Sequence, residues 1–211
     1  MRVAGKAGVL GIAALPVAAQ EVTIAALGDS LTQGFGLVQE DGFVPQLQDA
    51  LRGAGHDVRI INAGVSGDTT AGGLARVGWT LTDDVDALIV TLGANDLLRG
   101  IPPEVSRANL TGILEAAATA EVEVLLVGMQ APGNYGPEYK AAFDAMYPEL
   151  AAEFGTLYAE SFFMGFEVAS PGDISEFMQS DGLHPSADGV AVIVESLTPF
   201  VEELIARVPT E

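Results

Sequence analysis

The sequence predicts an open, doubly wound α/β fold, with helices on both faces of a parallel sheet. Short, almost continuously apolar segments alternate along the chain with segments whose apolar residues recur every three or four positions. Such alternation supplies the right-handed crossovers that parallel strands need. Polar, glycine-containing loops follow several apolar segments directly, and ligands bind such sheets at the carboxyl ends of the strands. Reactive side chains are therefore expected just after strands.

Four strands are predicted from runs rich in Val, Ile, Leu and Ala, and a short fifth strand is predicted near residues 156–160. The four runs are Val22–Gly28, Val58–Gly64, residues 87–93 and residues 123–129. Helices are predicted between and after them, at residues 41–54, 69–78, 103–118, 137–154 and 186–207. Pro148 has no N–H group, so it is predicted to kink or split the fourth helix near Tyr147.

The first nineteen residues have the organisation of a secretory signal peptide. Arg2 and Lys6 precede an apolar run over residues 7–15, and small residues end the segment at Ala18-Ala19. The run is shorter than the roughly 20 apolar residues that cross a bilayer, although a buried N-terminal helix is an alternative. We therefore expect a signal peptide at 1–19, one domain at 20–211, and a periplasmic or secreted protein without a stable membrane anchor.

Composition narrows the possible functions. Apolar residues make up 49% of the 211 residues and charged residues 18%, which fits one domain with a real core. The net charge of −20 argues against a nucleic-acid partner and should slow the approach of polyanionic substrates such as coenzyme A thioesters. With no cysteine and two histidines, the chain has no thiol nucleophile and little means to build a zinc site, so no metal is expected.

Ser30 is the candidate nucleophile, because it follows the first predicted strand after a glycine and an aspartate. A serine needs a base within hydrogen-bond reach, and the chain offers two histidines. His56 lies in a turn before the second strand, at the opposite edge of the sheet. His184 directly precedes the last predicted helix and is the candidate base.

Asp181 lies three residues before His184, with Gly182 between them allowing the chain to turn. A carboxylate in this position can accept the proton of one imidazole nitrogen, which leaves the other nitrogen free to face Ser30. Ser186 can cap the following helix. By itself this segment is equally consistent with a capped turn that carries a surface histidine.

Acyl transfer also requires hydrogen-bond donors for the developing oxyanion. Gly67 follows the second strand and can offer its backbone N–H, since no side chain blocks approach. Asn95 follows the third strand and can donate from its amide, and the Ser30 N–H can supply a third donor. Each fragment is a common turn, but their order at successive strand ends favours one shared site.

These segments resemble, in order, the four sequence blocks of the SGNH (GDSL) hydrolase superfamily. The blocks are Gly28-Asp29-Ser30-Leu31, Gly67, Gly93-x-Asn95-Asp96 and Asp181-x-x-His184. Residues 66–70, 73–76, 98–100, 134–136 and 147–150 are similar to the bacterial thioesterase I/lysophospholipase L1 (arylesterase) branch. The resemblance implies a three-layer α/β/α, flavodoxin-like fold with a five-stranded parallel sheet, and no cofactor.

The resemblance also implies roles for single residues. Ser30 would attack the substrate, His184 would act as base and then acid, and Asp181 would orient His184. The oxyanion would be bound by the Ser30 N–H, the Gly67 N–H and the Asn95 amide. Substrate contacts are expected from five further residues: Asp29, Leu31, Ala131, Pro132 and Tyr135.

Two departures from the pattern of this branch concern the site. Ala94 stands where the branch commonly has a second glycine, which is tolerable if the backbone there is not left-handed. Residues 129–133 carry smaller side chains than their usual counterparts, and in the family this loop lines the acyl site. The preferred acyl length is therefore not fixed by the resemblance.

The sequence thus predicts a serine esterase or arylesterase acting on short- to medium-chain acyl esters, with thioesterase or lysophospholipase activity. The substrate would be a small-molecule or lipid acyl ester. One alternative is a carbohydrate acetylesterase, although the single Trp79 gives little aromatic platform for sugars. Another is a non-catalytic flavodoxin-like module that binds phosphate at residues 30–34.

Overall fold

The structure is a computed structural model that describes residues 21–169 and 174–209. The predicted signal peptide, residues 1–19, lies outside the described residues. Five parallel strands form one sheet in the order β2-β1-β3-β4-β5. The strands are β1 (Val22–Gly28), β2 (Val58–Gly64), β3 (Ala87–Thr91), β4 (Glu123–Val127) and β5 (Leu157–Ala159). The predicted doubly wound sheet and its short fifth strand are both confirmed.

The helices lie between and after these strands. They are α1 (Ser30–Gln33), α2 (Phe43–Gly53), α3 (Thr70–Thr80), α4 (Ala94–Leu98), α5 (Pro103–Thr119), α6 (Pro137–Phe154), α7 (Met164–Ala169) and α8 (Ala187–Arg207). Ser186 caps α8 as predicted, since its hydroxyl accepts from the Gly189 N–H at 3.1 Å. The short helices α1, α4 and α7 were not predicted, because four to six residues are too few to show a helical period.

The helices form layers on both faces of the sheet. On one face α8 packs against α2, α7, β4 and β5; on the other α5 packs against α3, α6 and β4. Helix α2 shows how these faces arise, because it buries Phe43, Val44, Leu47 and Leu51 at helical spacing. The central strands β1 and β3 are apolar on both sides and almost fully buried. The molecule therefore has the expected three-layer α/β/α architecture.

Helix α6 runs without interruption through Pro148, so the split predicted near Tyr147 as one of two outcomes does not occur. The neighbouring Tyr147 is buried, and its hydroxyl donates to the Leu92 carbonyl at 2.9 Å. Burial of Phe143 and Leu150 further fixes this helix against the sheet. Tertiary packing holds the helix together across the hydrogen bond that proline cannot make.

Strand register brings three loops to one edge of the sheet. Gly28 at the end of β1 is paired with Gly64 at the end of β2 and with Thr91 at the end of β3. The residues that follow these strands consequently lie side by side. Strands β3 and β4 end two residues earlier than predicted, which gives the loops after them more length.

Membrane-spanning helices were sought in the described ranges, 21–169 and 174–209. No helix there combines the length and the apolar character needed to cross a bilayer.

Candidate functional site

Ser30 is the first residue of α1, directly beyond the end of β1. The preceding Asp29 caps this helix, because its Oδ1 accepts from the Leu31 N–H at 3.0 Å. The cap turns the chain sharply out of the sheet. Ser30 consequently lines a cavity at the carboxyl edge, in the position predicted for the nucleophile.

His184 lies between Ser30 and Asp181. Its Nε2 is 2.9 Å from the Ser30 Oγ, and its Nδ1 is 2.7 Å from the Asp181 Oδ2. The second carboxylate oxygen of Asp181 accepts the backbone N–H groups of Leu183 and His184, at 2.9 and 3.0 Å. These bonds fix the carboxylate relative to the ring, so one tautomer of His184 can donate to Asp181 and accept from Ser30.

Asp181 is held in its ionised form. Its hydrogen bond with the His184 ring, aided by the His184 and Leu183 N–H groups, lowers the pKa of this carboxyl to about 2. The site therefore keeps a negative charge beside the imidazole at every pH at which the protein would normally work.

The segment around His184 is tied to the loop after Ser30. Gln179 donates from its Nε2 to the Phe35 carbonyl at 2.8 Å and to the Pro185 carbonyl at 2.9 Å. The Phe35 ring lies against the His184 ring, with 4.6 Å between the centroids. Sequence reasoning missed both residues, since Gln179 and Phe35 are 144 positions apart in the chain.

Asn95 and Asp29 meet below the nucleophile. The Asn95 Nδ2 donates to the Asp29 Oδ2 at 3.0 Å, which orients the amide at the floor of the cavity. Asp29 is fully buried, and this burial raises the pKa of its carboxyl to about 6, although the bonds from Leu31 and Asn95 act in the opposite direction. Asp29 thus supports the amide that was predicted to bind the oxyanion.

Gly67 lines the cavity in the loop after β2, with a φ of +82° that an L-residue rarely adopts. The Arg99 guanidinium donates to the Gly67 carbonyl at 2.7 Å. Arg76 binds the next residue, Asp68, at 2.6 Å and also donates to the carbonyls of Ala63 and Gly28. Both arginines lie in segments that carry the resemblance to the arylesterase branch, but sequence reasoning gave them no role; together they hold the Gly67 loop in place.

The departure at Ala94 is accommodated by the backbone. Gly93 has a φ of +121°, and a Cβ atom there would collide with the Tyr147 hydroxyl. Ala94 instead starts α4, and within the described residues Glu121 is the one non-glycine residue with a positive φ. Glycine is therefore required at 93, while a methyl group at 94 is compatible with the fold.

The cavity above these residues has a volume of about 820 Å³, in the range typical of small-molecule sites. Its floor is polar, with Ser30, Asn95 and His184. Its walls are mostly apolar, and the segments that follow β3, β4 and β5, including α4 and α7, contribute Leu98, Met129, Pro132, Phe163 and Phe166. This arrangement can hold an apolar chain beside a hydroxyl group that a neighbouring imidazole can deprotonate.

The predicted substrate contacts divide into two groups. Leu31, Pro132 and Tyr135 line the cavity as expected. Asp29 and Ala131 do not, so their assignment is corrected here: Asp29 is 0% exposed beneath the site, and Ala131 is 2% exposed with its methyl group in the core. Their neighbours in sequence face the cavity because side-chain direction changes from one residue to the next.

The second histidine lies outside the cavity, whereas Glu160 and Tyr135 line it. His56 precedes β2 and contacts Glu202 at 3.4 Å, in agreement with its predicted place outside the site. In the described part of the chain, no three His, Asp or Glu side chains are grouped so that they could hold a metal ion.

Comparison with known proteins identifies the family. The family model of the GDSL-like lipase/acylhydrolase family matches residues 26–192, which is more than half of the chain. The chain belongs to this GDSL-like family. The resemblance drawn from the four sequence blocks is thereby confirmed.

Two named proteins are similar to this chain over most of its length. Esterase TesA of Pseudomonas aeruginosa is 37% identical over 206 residues, covering 97% of this chain and 100% of its own. Thioesterase 1/protease 1/lysophospholipase L1 of Escherichia coli (strain K12) is 34% identical, covering 89% of this chain and 87% of its own.

A solved structure agrees with the sequence relatives. The crystal structure of AlinE4, an SGNH-hydrolase family esterase, is 40% identical with a TM-score of 0.71, covering 90% of this chain and 98% of that one. The GDSL-like chain described here is accordingly a carboxylic ester hydrolase with the SGNH-hydrolase fold. Because the chain belongs to this class of enzyme, the alternative of a non-catalytic binding module is excluded.

Proposed function

We propose that this enzyme hydrolyses short- to medium-chain acyl esters through an acyl-enzyme formed on Ser30. The observation that carries the proposal is the position of His184, which contacts the Ser30 hydroxyl at 2.9 Å and the Asp181 carboxylate at 2.7 Å. These distances are those of a nucleophile, its base and the group that orients the base.

In the first half-reaction the Ser30 Oγ attacks the carbonyl carbon of the ester while its proton passes to the His184 Nε2. The carbonyl oxygen becomes an oxyanion, which the backbone N–H groups of Ser30 and Gly67 and the amide of Asn95 stabilise. The C–O bond to the leaving group then breaks, and His184 returns the proton to the departing alcohol. Ionised Asp181 stabilises the imidazolium while it exists.

In the second half-reaction His184 takes a proton from water, and the resulting hydroxide attacks the acyl carbon. The same donors stabilise the second oxyanion. Collapse of this intermediate breaks the bond between the acyl carbon and the Ser30 Oγ, and the proton held by His184 returns to serine. A thioester would follow the same path with a thiol as leaving group.

The cavity walls support an apolar acyl chain as the bound part of the substrate. Apolar residues from the segments after β3, β4 and β5, among them Met129, Phe163 and Phe166, line the cavity that contains Ser30. Relatives named esterase and thioesterase 1/lysophospholipase L1 support extending the proposal to thioesters and lysophospholipids.

The test is hydrolysis of a series of p-nitrophenyl esters with acyl groups of two to twelve carbons, by wild type and by Ser30→Ala. We expect the wild type to hydrolyse the shorter members, and Ser30→Ala to lose nearly all turnover while keeping the fold. A Ser30→Ala variant that retains wild-type turnover would overturn the assignment of the nucleophile.

A carbohydrate acetylesterase is the less favoured specificity. Trp79 is 87% exposed and does not line the cavity, so it offers no stacking surface for a sugar beside Ser30. Release of acetate from acetylated xylan faster than from aryl acetates would favour that activity instead.

We further propose that the enzyme works outside the cytoplasm, which rests on the organisation of residues 1–19 alone. Recovery of the enzyme from periplasmic or culture fractions, with an N-terminus near residue 20, would support this location. Full-length protein confined to the cytoplasm would contradict it.

A further inference from the structure

The loop formed by residues 129–133 supplies one wall of the cavity, and both side chains and backbone hold it in place: Met129 is packed in the core, and the Gln130 amide donates to the Glu160 Oε1 at 3.2 Å. Met129, Gln130 and Pro132 line the cavity, and Ala131 between them is buried. In addition, two side chains of α6 bind the Ala131 backbone, one at its N–H and one at its carbonyl.

Lys140 and Asp144 make these contacts. The Asp144 Oδ1 accepts from the Ala131 N–H at 2.7 Å, and the Lys140 Nζ donates to the Ala131 carbonyl at 2.7 Å. The Lys140 Nζ also binds the Asp144 Oδ2 at 2.7 Å. Residues four apart lie on the same side of a helix, so the pair closes a ring with the N–H and the carbonyl of one loop residue, Ala131.

This arrangement is better suited to fixing a position than to stabilising the whole fold. The Lys140 and Asp144 side chains are 44% and 31% exposed, and exposed ion pairs contribute little to the free energy of unfolding. Hydrogen bonds from charged groups to a backbone are nevertheless short and directional. Lys140 is the only lysine in the described ranges, so no other ammonium group can take its place.

Helix α6 is a rigid base for the pair. Its Phe143 and Tyr147 are buried in the core, and the Tyr147 hydroxyl binds the Leu92 carbonyl beside the Gly93-Ala94 turn. The position of the loop is therefore fixed relative to the part of the molecule that carries Asn95. A shift of the loop would change the width of the cavity without moving Ser30 or His184.

We propose that Lys140 and Asp144 are a positioning pair that sets the cavity wall at residues 129–133 and thereby selects among acyl chain lengths. The inference rests on the proposed ester hydrolysis at this cavity. A long acyl chain reaches Met129 and Pro132, whereas an acetyl group is expected to react next to Ser30 without needing that wall. Apolar pockets discriminate between chains through such contacts.

The test compares Lys140→Met and Asp144→Asn with the wild type. We expect the ratio of kcat/KM for octanoyl over acetyl p-nitrophenyl esters to fall by roughly threefold to tenfold in both variants, mainly through KM of the octanoyl ester. A purely structural defect would instead lower the turnover of both esters by the same factor and leave the ratio unchanged.

Arg207→Met is the matched control. Arg207 also binds a carboxylate four residues earlier, Glu203, at 3.1 Å, and donates to a loop carbonyl, that of Gly155, at 3.2 Å. Neither Gly155 nor Arg207 lines the cavity. The same loss of an ion pair and a carbonyl bond is therefore expected to leave the chain-length ratio at its wild-type value.

Hydrogen–deuterium exchange of the peptide that covers residues 129–133 gives a second readout, independent of catalysis. Faster exchange in Lys140→Met together with the shifted ratio supports the proposal. Unchanged exchange overturns the positioning of the loop, and faster exchange with an unchanged ratio overturns its role in selectivity. A wild type that hydrolyses no ester overturns the proposed function and with it the selectivity, while exchange still decides whether the pair holds the loop.

Discussion

Asp29 is a carboxyl group that the fold buries completely beneath the nucleophile. The Leu31 N–H and the Asn95 amide donate to this carboxyl and lower its pKa, but they offset burial only in part. Burial still raises the pKa of Asp29 from 3.8 to about 6. The folded protein therefore binds the Asp29 proton more tightly than the unfolded chain does. The residue orients Asn95, and its ionisation costs stability.

The stability of the enzyme should report this cost. The contribution of Asp29 is most favourable below pH 3.8, decreases as pH rises towards 6, and above that amounts to a penalty of about 3 kcal/mol. Asp29→Asn removes the titration. The free energy of unfolding of Asp29→Asn relative to wild type should thus become more favourable between pH 4 and pH 7 by about 2.4 kcal/mol.

Denaturant unfolding at both pH values measures this difference, with the exposed Asp49→Asn as a control that should show no such trend. A pH-independent offset between Asp29→Asn and wild type is also expected, because an amide has one acceptor oxygen for the two donors, the Leu31 N–H and the Asn95 Nδ2. A difference that stays flat from pH 4 to pH 7 would show that Asp29 does not titrate in this range.

The two histidines allow a matched comparison of single residues. His184 contacts Ser30 and Asp181, whereas His56 contacts Glu202 at 3.4 Å. His184→Ala should lower kcat for p-nitrophenyl acetate by roughly three orders of magnitude or more, because the serine loses its base. His56→Ala should stay near wild type, and equal losses in the two variants would refute the assignment of the base.

At the scale of elements, the segment that carries His184 and the loop that follows Ser30 are joined by one side chain. Gln179 donates to the carbonyls of Phe35 and Pro185 and so links two loops that no shared helix or strand connects. The Gln179 N–H additionally donates to the His184 carbonyl at 2.7 Å. The distance between nucleophile and base therefore depends on this bridge.

Gln179→Ala should lower kcat about tenfold with little change in KM, since misplacing the base by a fraction of an ångström slows the proton transfer. Gln46→Ala is the control, because Gln46 likewise donates to two carbonyls, those of Asp41 and Ala187, but lies away from the cavity. Steady-state kinetics of both variants decide the matter. A loss of the same size in Gln46→Ala would mean that the bridge acts through general stability.

At the scale of the whole molecule, the net charge of −20 sets how charged substrates approach the cavity. Long-range repulsion acts on the association rate and is screened by salt, with a Debye length of about 10 Å at 0.1 M. An acyl ester without charge experiences none of this repulsion. Coenzyme A thioesters, which carry several phosphates, experience all of it.

For octanoyl-coenzyme A we therefore expect kcat/KM to rise by about an order of magnitude between roughly 10 mM and 300 mM salt. The octanoyl thioester of N-acetylcysteamine, which has no phosphate, should show little change over the same range. The measurement is kcat/KM of the two thioesters, assayed in parallel over this range of salt. A salt dependence that is equal for both would show that net charge does not govern substrate access.

The α/β fold and most of the site were predictable because their signals are local. A strand buried on both faces is apolar throughout, so its end is visible in the sequence, and residues after parallel strand ends meet at one edge. This reasoning found Ser30, Gly67 and Asn95, and the spacing of Asp181 and His184 completed the set. The predicted catalytic roles of these residues remain predictions that the variants above test.

Other features depended on contacts between distant parts of the chain. Gln179 and Phe35, or Arg76 and Gly28, become neighbours only when the sheet and its loops have assembled. The burial of Asp29 and Ala131 likewise could not be inferred, because the direction of a loop side chain follows from the packing around it. Helix α6 continues through Pro148 for the same reason, since packing outweighs the tendency of proline to end a helix.

The sequence by itself thus determined the class of fold, the edge of the sheet that carries the site, and the residues able to take part in the chemistry. Hydrophobic period, strand ends and glycine positions are properties of short segments, and they act before any tertiary contact forms. The tertiary structure alone decided which groups hold those residues in position and how wide the cavity is. These depend on distances between segments far apart in the chain, and only a packed core fixes such distances.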